Sequence, residues 1–330
     1  MAMKQMKRHF EPVRVGLLGC SGIARRKLLP AVFASELAVL GAMASRNPVS
    51  SAAAGIMPGY PAISYEELLG RPDIELVYLS LANHLHEEWT LRALAAGKHV
   101  LCEKPLGLGS ASVERMIAAA TAQGRLLYEN LMFLHHPQHA AVRAVIDSGR
   151  IGRLLALRCV FGFPEPAPGN FRMDPAYGGG AFFDLARYPL GIAGYLLQGA
   201  LEEFRGIAID RSGLNLAMHG AARSSVGEVL QFAIAFGQSY ESFYEVVGEC
   251  GKIRVDRAFT TPPELANRIE VTADGEDLSF VVPAADHFRL MLDHVCTLLR
   301  AGGNFGEAAG RSMQLARLAD LMERGCRNGC

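Results

Sequence analysis

Short apolar runs alternate with helix-like stretches over the first 130 residues. The runs are VRVGLLG (13–19), LAVLGAMAS (37–45), ELVYLSL (75–81), KHVLCE (98–103) and RLLYEN (125–130). Helical periodicity fills 22–34, 87–96 and 110–123 between them. The strands are apolar almost throughout rather than alternating, as a sheet covered on both faces requires. Strand and helix in alternation predict right-handed crossovers and a mostly parallel, doubly wound sheet. After about residue 150 the rhythm changes. A Pro/Gly-rich loop at 163–180 leads into a helical segment at 181–198. Strands then follow in series at 203–210, 214–219, 227–236, 242–248, 251–256, 267–272 and 278–282, with closing helices at about 285–301 and 307–324. Serial strands with short turns predict an antiparallel or mixed sheet. The expected architecture is therefore an α/β domain over 1–131 and an α+β domain over 132–330.

Composition narrows the partners. A chain of 330 residues, half of them hydrophobic, has ample core for two domains. Lys+Arg and Asp+Glu number 33 each, so no basic field exists to hold nucleic acid or an anionic membrane. Seven cysteines without a C-x-x-C pair read as reduced thiols in a cytoplasmic protein, with Cys102 a buried structural thiol. The basic N-terminus, MAMKQMKRHFEP, lacks the apolar core of a signal peptide and reads as a frayed arm. The apolar stretch 181–201 is interrupted by Asp184 and Arg187 and is no membrane span.

The first chemical signal is the turn after the first strand. Gly19, Ser21 and Ala24 occupy the three places of a degenerate G-x-G-x-x-G/A dinucleotide fingerprint. Gly19 permits a tight turn, Ser21 a close approach by pyrophosphate, and Ala24 close helix–sheet packing. Cys20, Gly22 and Ile23 complete a helix N-terminus whose N–H groups suit phosphate. The alternative is a tight turn that holds no ligand. The second strand ends in Ser45 and Arg46, without the acidic residue that would bind a ribose 2′-hydroxyl. A hydroxyl and a guanidinium suit a 2′-phosphate instead, which points to NADP(H). Arg46 as an ordinary surface charge is the alternative.

Ligands of open parallel sheets bind beyond the carboxyl ends of the strands. Those ends carry Leu81, Asn83, His84 and His86, then Glu103, Lys104 and Pro105, then Glu129 and Asn130. Lys104 is expected at the rim of a nicotinamide site. His86 is expected to face the cleft if the backbone there is extended, or else to cap the following helix. His135, His136 and His139 straddle Pro137 without a carboxylate at ligand spacing, so no metal site is expected.

In the second half, GGGAFFDLARY (178–188) places Asp184 and Tyr188 four residues apart, on one face of a helix. A nearby ammonium would lower the Tyr188 pKa, and such a phenol can protonate a developing alkoxide. Asp184 would orient Tyr188 or a substrate hydroxyl. A buried Tyr–Asp hydrogen bond without catalytic duty is the alternative.

With GCSGIA, Glu103-Lys104-Pro105 and GGGAFFDLARY at their spacing, nearly the whole chain resembles the glucose–fructose oxidoreductase/inositol dehydrogenase (Gfo/Idh/MocA) family. The resemblance implies a Rossmann domain, a second domain with an open mixed sheet often used for oligomerisation, and a site completed by Lys104, Asp184 and Tyr188. The stretches 129–139, 170–180, 259–264 and 281–288 further resemble sugar-nucleotide C-3 ketoreductases of deoxysugar biosynthesis. That implies NADPH-dependent reduction of a 3-keto group on a TDP-linked sugar, with the proton from Tyr188 or Lys104. Arg172 is then expected at a cofactor or substrate phosphate, and the chain in a homo-oligomer, dimer or tetramer. C-3 oxidation with NAD(P), or NADP(H) binding without turnover, are the alternative readings. The chain departs from the family at Ala186 and Arg187, which are expected to reshape the pocket beside Tyr188.

Overall fold

The computed structural model describes residues 11–49, 60–302 and 305–327. The N-terminal arm expected over residues 1–12 lies almost wholly outside them.

The first sheet has six parallel strands in the order β3-β2-β1-β4-β5-β6. They are β1 (Val13–Leu18), β2 (Ala38–Ala44), β3 (Ala62–Ile63), β4 (Leu76–Leu79), β5 (His99–Glu103) and β6 (Leu127–Asn130). Every residue of β4 and β6 is buried, as expected for strands covered on both faces. The connecting helices are α1 (22–34, with a π-type turn at Ala24–Leu28), α2 (Tyr65–Gly70), α3 (His86–Ala95) and α4 (Ser110–Ala122). The short edge strand β3 and α2 were not expected. A Ser64–Glu67 capping box marks the start of α2: Ser64 Oγ accepts the Glu67 N–H, and the Glu67 carboxylate accepts the Ser64 N–H.

The second sheet has eight strands, ordered β14-β13-β12-β11-β7-β10-β9-β8. Seven lie where the sequence placed them: β8 (Leu201–Arg211), β9 (Leu214–Ser224), β10 (Val229–Phe236), β11 (Glu241–Gly248), β12 (Gly251–Asp256), β13 (Asn267–Ala273) and β14 (Glu276–Val282). The eighth, β7 (Leu154–Phe163), was not expected and is the one that joins two meanders. It pairs parallel with β10 and antiparallel with β11, so the sheet is mixed. Helix α5 (Pro137–Asp147), opened by Pro137 and capped by His136 Nδ1, was also missed. The segment expected as one helix at 181–198 is two, α6 (Ala181–Leu185) and α7 (Arg187–Leu196).

The closing helices α8 (His287–Ala301) and α9 (Gly306–Arg327) return to the first sheet. Arg300 grips Glu75 through two hydrogen bonds of 2.6 and 2.9 Å, and the Ser110 N–H donates to Asp320 at 3.1 Å. The two sheets are thus locked by helices late in the chain. No described helix is long and apolar enough to cross a membrane, and no described cysteine is disulfide-bonded.

The expected histidine cluster is absorbed by packing. His135 meets the Tyr128 hydroxyl at 2.9 Å, His136 caps α5, and His139 meets the Tyr244 hydroxyl at 3.0 Å. No group of three or more metal-ligating side chains occurs among the described residues. Burial pulls the pKa values of His135, His139 and His287 down to about 3, with neighbouring histidines adding to the effect. These rings stay neutral in the fold, whereas the unfolded chain protonates them below about 6.5. Their contribution to stability is complete above pH about 6.5 and is lost as pH falls towards 3. The urea midpoint is expected to decline steadily from pH 6.5 to 4.5; a midpoint constant over that interval would contradict this.

Candidate active site

Gly19 has φ of +106°, a region that favours glycine. A Cβ there would lie 2.8 Å from Leu81 Cδ2 and 2.9 Å from the Ser80 carbonyl oxygen. The turn therefore needs glycine to pass the end of β4. Ser21 Oγ accepts the Ala24 N–H at 3.1 Å and shapes the start of α1. The N–H groups of Gly22 and Ile23 open that helix, where no intrahelical carbonyl can reach them. A turn of this shape, with a helix N-terminus behind it, fits a dinucleotide pyrophosphate. Cys20, Ser21, Gly22 and Ile23 are all partly exposed at this mouth, while Ala24 packs inside. At the end of β2, Ser45 is partly buried and Arg46 exposed, so the guanidinium can reach a phosphate outside the fold.

The end of β5 supplies the central residue. Lys104 follows Glu103 and precedes Pro105 across a cis peptide bond. Its ammonium donates to Asp184 Oδ1 at 2.7 Å and to the Asp184 carbonyl oxygen at 2.6 Å. Asp184 Oδ2 accepts from Arg172 Nε at 2.8 Å. The ammonium lies 5.1 Å from the centroid of the Tyr188 ring. Lys104, from the first sheet, and Asp184 and Tyr188, from the second half of the chain, thus meet in one place. The Tyr188 ring is fixed by Phe161, Phe133 and Phe259 at centroid distances of 4.6, 5.2 and 5.4 Å. Its hydroxyl makes no hydrogen bond to another described residue.

The three glycines aim this helix. Gly178 adopts φ of +70° and Gly180 of +107°. A Cβ on Gly179 would lie within 2.6–2.8 Å of three carbonyl oxygens, those of Arg172, Asp174 and Phe171. The chain thereby folds tightly back on Arg172 before α6, which puts Arg172 and Asp184 side by side. Asn83 crosses between the halves, donating to the Gly178 carbonyl oxygen at 2.8 Å.

Charge follows from this packing. Burial alone would raise the Asp184 carboxyl, but Lys104 and Arg172 pull it down to about 2. Burial works against the Lys104 ammonium, and Asp184 and the Tyr188 phenol outweigh it, so its pKa is raised. Tyr188 departs from expectation. Its pKa is raised rather than lowered, because burial outweighs the Lys104 charge and Asp184 and Glu103 add to the rise. At neutral pH the site holds a carboxylate and two groups that each carry a transferable proton.

His86 is a second correction. Residues 83–85 form a 3₁₀ turn and His86 begins α3, so the backbone is helical rather than extended. His86 is fully buried, with Nδ1 2.7 Å from the Pro105 carbonyl oxygen and Nε2 3.2 Å from that of Leu81. It braces the rim from behind. Asn130 also turns inward, donating to Glu103 Oε1 at 2.7 Å, and the same oxygen accepts from the Tyr78 hydroxyl at 2.5 Å. Burial raises the Glu103 pKa, against the pull of Tyr78 and Lys104. Sequence reasoning missed Tyr78, the aromatic cage and the pairing of Arg187 with Glu129. The last had a signal: a carboxylate in a wholly buried strand needs a buried cation, and Arg187 is the cation embedded in an apolar helix.

The family described as "Oxidoreductase family, NAD-binding Rossmann fold" matches residues 13–131, and "GFO/IDH/MocA C-terminal domain" matches residues 139–254. A dTDP-3,4-didehydro-2,6-dideoxy-alpha-D-glucose 3-reductase from Actinomadura kijaniata is 34% identical over 320 residues, covering 96% of each chain. One from Saccharopolyspora spinosa is 35% identical over 328 residues, covering 97% of this chain and 99% of the other. The crystal structure of a 3-ketoreductase from Actinomadura kijaniata with NADP and TDP-benzene superposes with a TM-score of 0.91 at 34% identity, over 95% of this chain and 98% of that one. Structures of that ketoreductase include variants with one lysine changed to Ala or Glu and one tyrosine changed to Phe. The two changed positions are separated by the same number of residues as Lys104 and Tyr188 here. With its six-stranded parallel sheet, its mixed eight-stranded sheet and its Glu-Lys-Pro turn, the chain belongs to the Gfo/Idh/MocA oxidoreductase family.

Proposed function

We propose that the protein reduces the C-3 keto group of a TDP-linked deoxysugar with NADPH. The observation that carries this reading is the convergence of Lys104, Asp184 and Tyr188 beside the carboxyl end of β5. NADPH supplies the hydride. The chain's own residues do the rest. The glycine turn and the start of α1 receive the pyrophosphate, and Ser45 and Arg46 receive the 2′-phosphate. Asp184 holds the Lys104 ammonium in place, and Tyr188 delivers a proton to the oxygen of the reduced carbon. Lys104 stabilises the alkoxide charge as it develops. Arg172, one nitrogen of which is fixed on Asp184, has further donors for a substrate phosphate. The balance is one hydride to carbon and one proton to oxygen, leaving an alcohol and NADP⁺. Support comes from the full-length relatives and from the matching separation of the lysine and tyrosine positions. A cytoplasmic location and a homo-oligomer belong to the same reading. The exposed Ile207 and Ile209 on β8 favour the latter.

Loss of absorbance at 340 nm with NADPH and TDP-linked 3-keto-deoxysugars tests the reading. Turnover supports it; tight NADPH binding without turnover on any of them would make the protein a sensor, and activity only towards NAD(P)⁺ and an alcohol would make it a dehydrogenase. The cofactor assignment has its own test. Arg46→Ala is expected to raise the KM for NADPH roughly 10-fold, the loss of one charged hydrogen bond, and to leave that for NADH unchanged. Equal effects on both cofactors would remove Arg46 from the 2′-phosphate.

A further inference from the structure

Two charged residues at the site take no part in the chemistry above, and both are buried: Glu129 is 2% exposed and Arg187 4%. Glu129 lies in β6 and Arg187 opens α7. Arg187 Nε donates to Glu129 Oε1 at 3.1 Å, and the same oxygen accepts the Leu106 N–H at 3.0 Å. The other oxygen, Oε2, has no partner among the described residues. Every member of this cluster adjoins the site. Asn130, next to Glu129, holds Glu103; Leu106 lies two residues after Lys104; Tyr188 follows Arg187. One carboxylate oxygen thus ties together the lysine turn, β6 and the helix that carries the phenol.

Such a pair is a poor device for stability alone. Desolvating two charges costs about what their attraction returns, and apolar residues of similar volume often do as well or better. Half of this carboxylate also has no partner among the described residues. What apolar residues cannot do is fix distance and direction between three backbone segments, which hydrogen bonds do. We infer that Glu129 and Arg187 form a positioning pair that holds the Lys104 turn at a set distance from Tyr188, so that both donors reach one oxygen. The inference rests on the reading of Lys104 and Tyr188 as the reacting donors.

The test compares wild type, Arg187→Lys and the double variant Arg187→Met/Glu129→Met, which leaves no buried charge unpaired. The double variant is expected to lose roughly 10–100-fold in kcat, because a misplacement of about 1 Å is enough for that. Its KM for NADPH should stay within about twofold, and Arg187→Lys should recover part of the loss. Amide hydrogen exchange in the segment 104–108 should quicken as the Leu106 N–H loses its acceptor. Wild-type kcat in the double variant, or a loss confined to KM, would overturn the inference. Exchange decides it independently of turnover: unchanged protection at Leu106 overturns it. A wild-type enzyme that reduces no ketosugar would instead overturn the proposed function, and the pair would then be judged on exchange alone.

Discussion

Tyr188→Phe is expected to lower kcat by roughly 10²–10⁴-fold, the range for removing a positioned acid. The change deletes one oxygen and leaves the ring in its cage of Phe161, Phe133 and Phe259, so packing and thermal stability should hardly move. KM for NADPH should stay near that of the wild type, since the hydroxyl makes no hydrogen bond to another described residue whose loss would disturb the cofactor turn. The raised pKa gives a second signature. The phenol keeps its proton through the neutral range, so the alkaline fall in wild-type kcat belongs above the ordinary tyrosine value of 10. Steady-state kinetics from pH 6 to 11 checks both. Near-normal turnover in the variant would move the acid role to Lys104.

Lys104→Ala is expected to cost roughly 10²–10³-fold in kcat, as removal of a single preorganised donor does. Here the structure pays as well. Asp184 loses its partner on Oδ1 and keeps only Arg172, so a buried carboxylate is left half-satisfied. Its pKa should climb from about 2, because the first of the two cations holding it down is gone. Unfolding in urea should show a loss of about 1–3 kcal/mol. The double variant Lys104→Ala/Tyr188→Phe should be little slower than the worse single one if both groups serve one proton transfer. Losses that multiply in full would assign them to separate steps.

Most of this was legible in the residues, for identifiable reasons. All strands but β3 and β7 announce themselves through apolar runs separated by turn residues, and the Glu-Lys-Pro turn stands out because a charged pair closes a buried strand. β7 was hidden for a physical reason. LLALRCVFGF lies directly before the Pro/Gly-rich loop, and it opens on the unbroken apolar run LLAL, so the alternation that marks a half-buried strand shows only from Leu157 onward. Its role as the bridge between two meanders exists only in the assembled sheet. For the site, local pattern singles out Lys104, Asp184 and Tyr188, and the fold brings these three side chains together. It was misread where the outcome depends on depth. A neighbouring ammonium does lower a phenol, but the amount of water excluded around Tyr188 is a tertiary quantity, and it prevails. His86 turned inward because the 3₁₀ turn at Asn83–Leu85 replaced the extended backbone on which its direction had been argued.

The account stands on two proton-bearing side chains, delivered by different halves of the chain, meeting a sugar carbonyl in front of a reduced nicotinamide. NADPH carrying deuterium at the transferring C4 position, incubated with a TDP-linked 3-keto-deoxysugar, tests this most directly. The account predicts one deuterium at C-3 of the product sugar by NMR, formed by the wild type and nearly abolished in Tyr188→Phe and Lys104→Ala. Deuterium at another carbon, or label transfer undiminished in both variants, would contradict it.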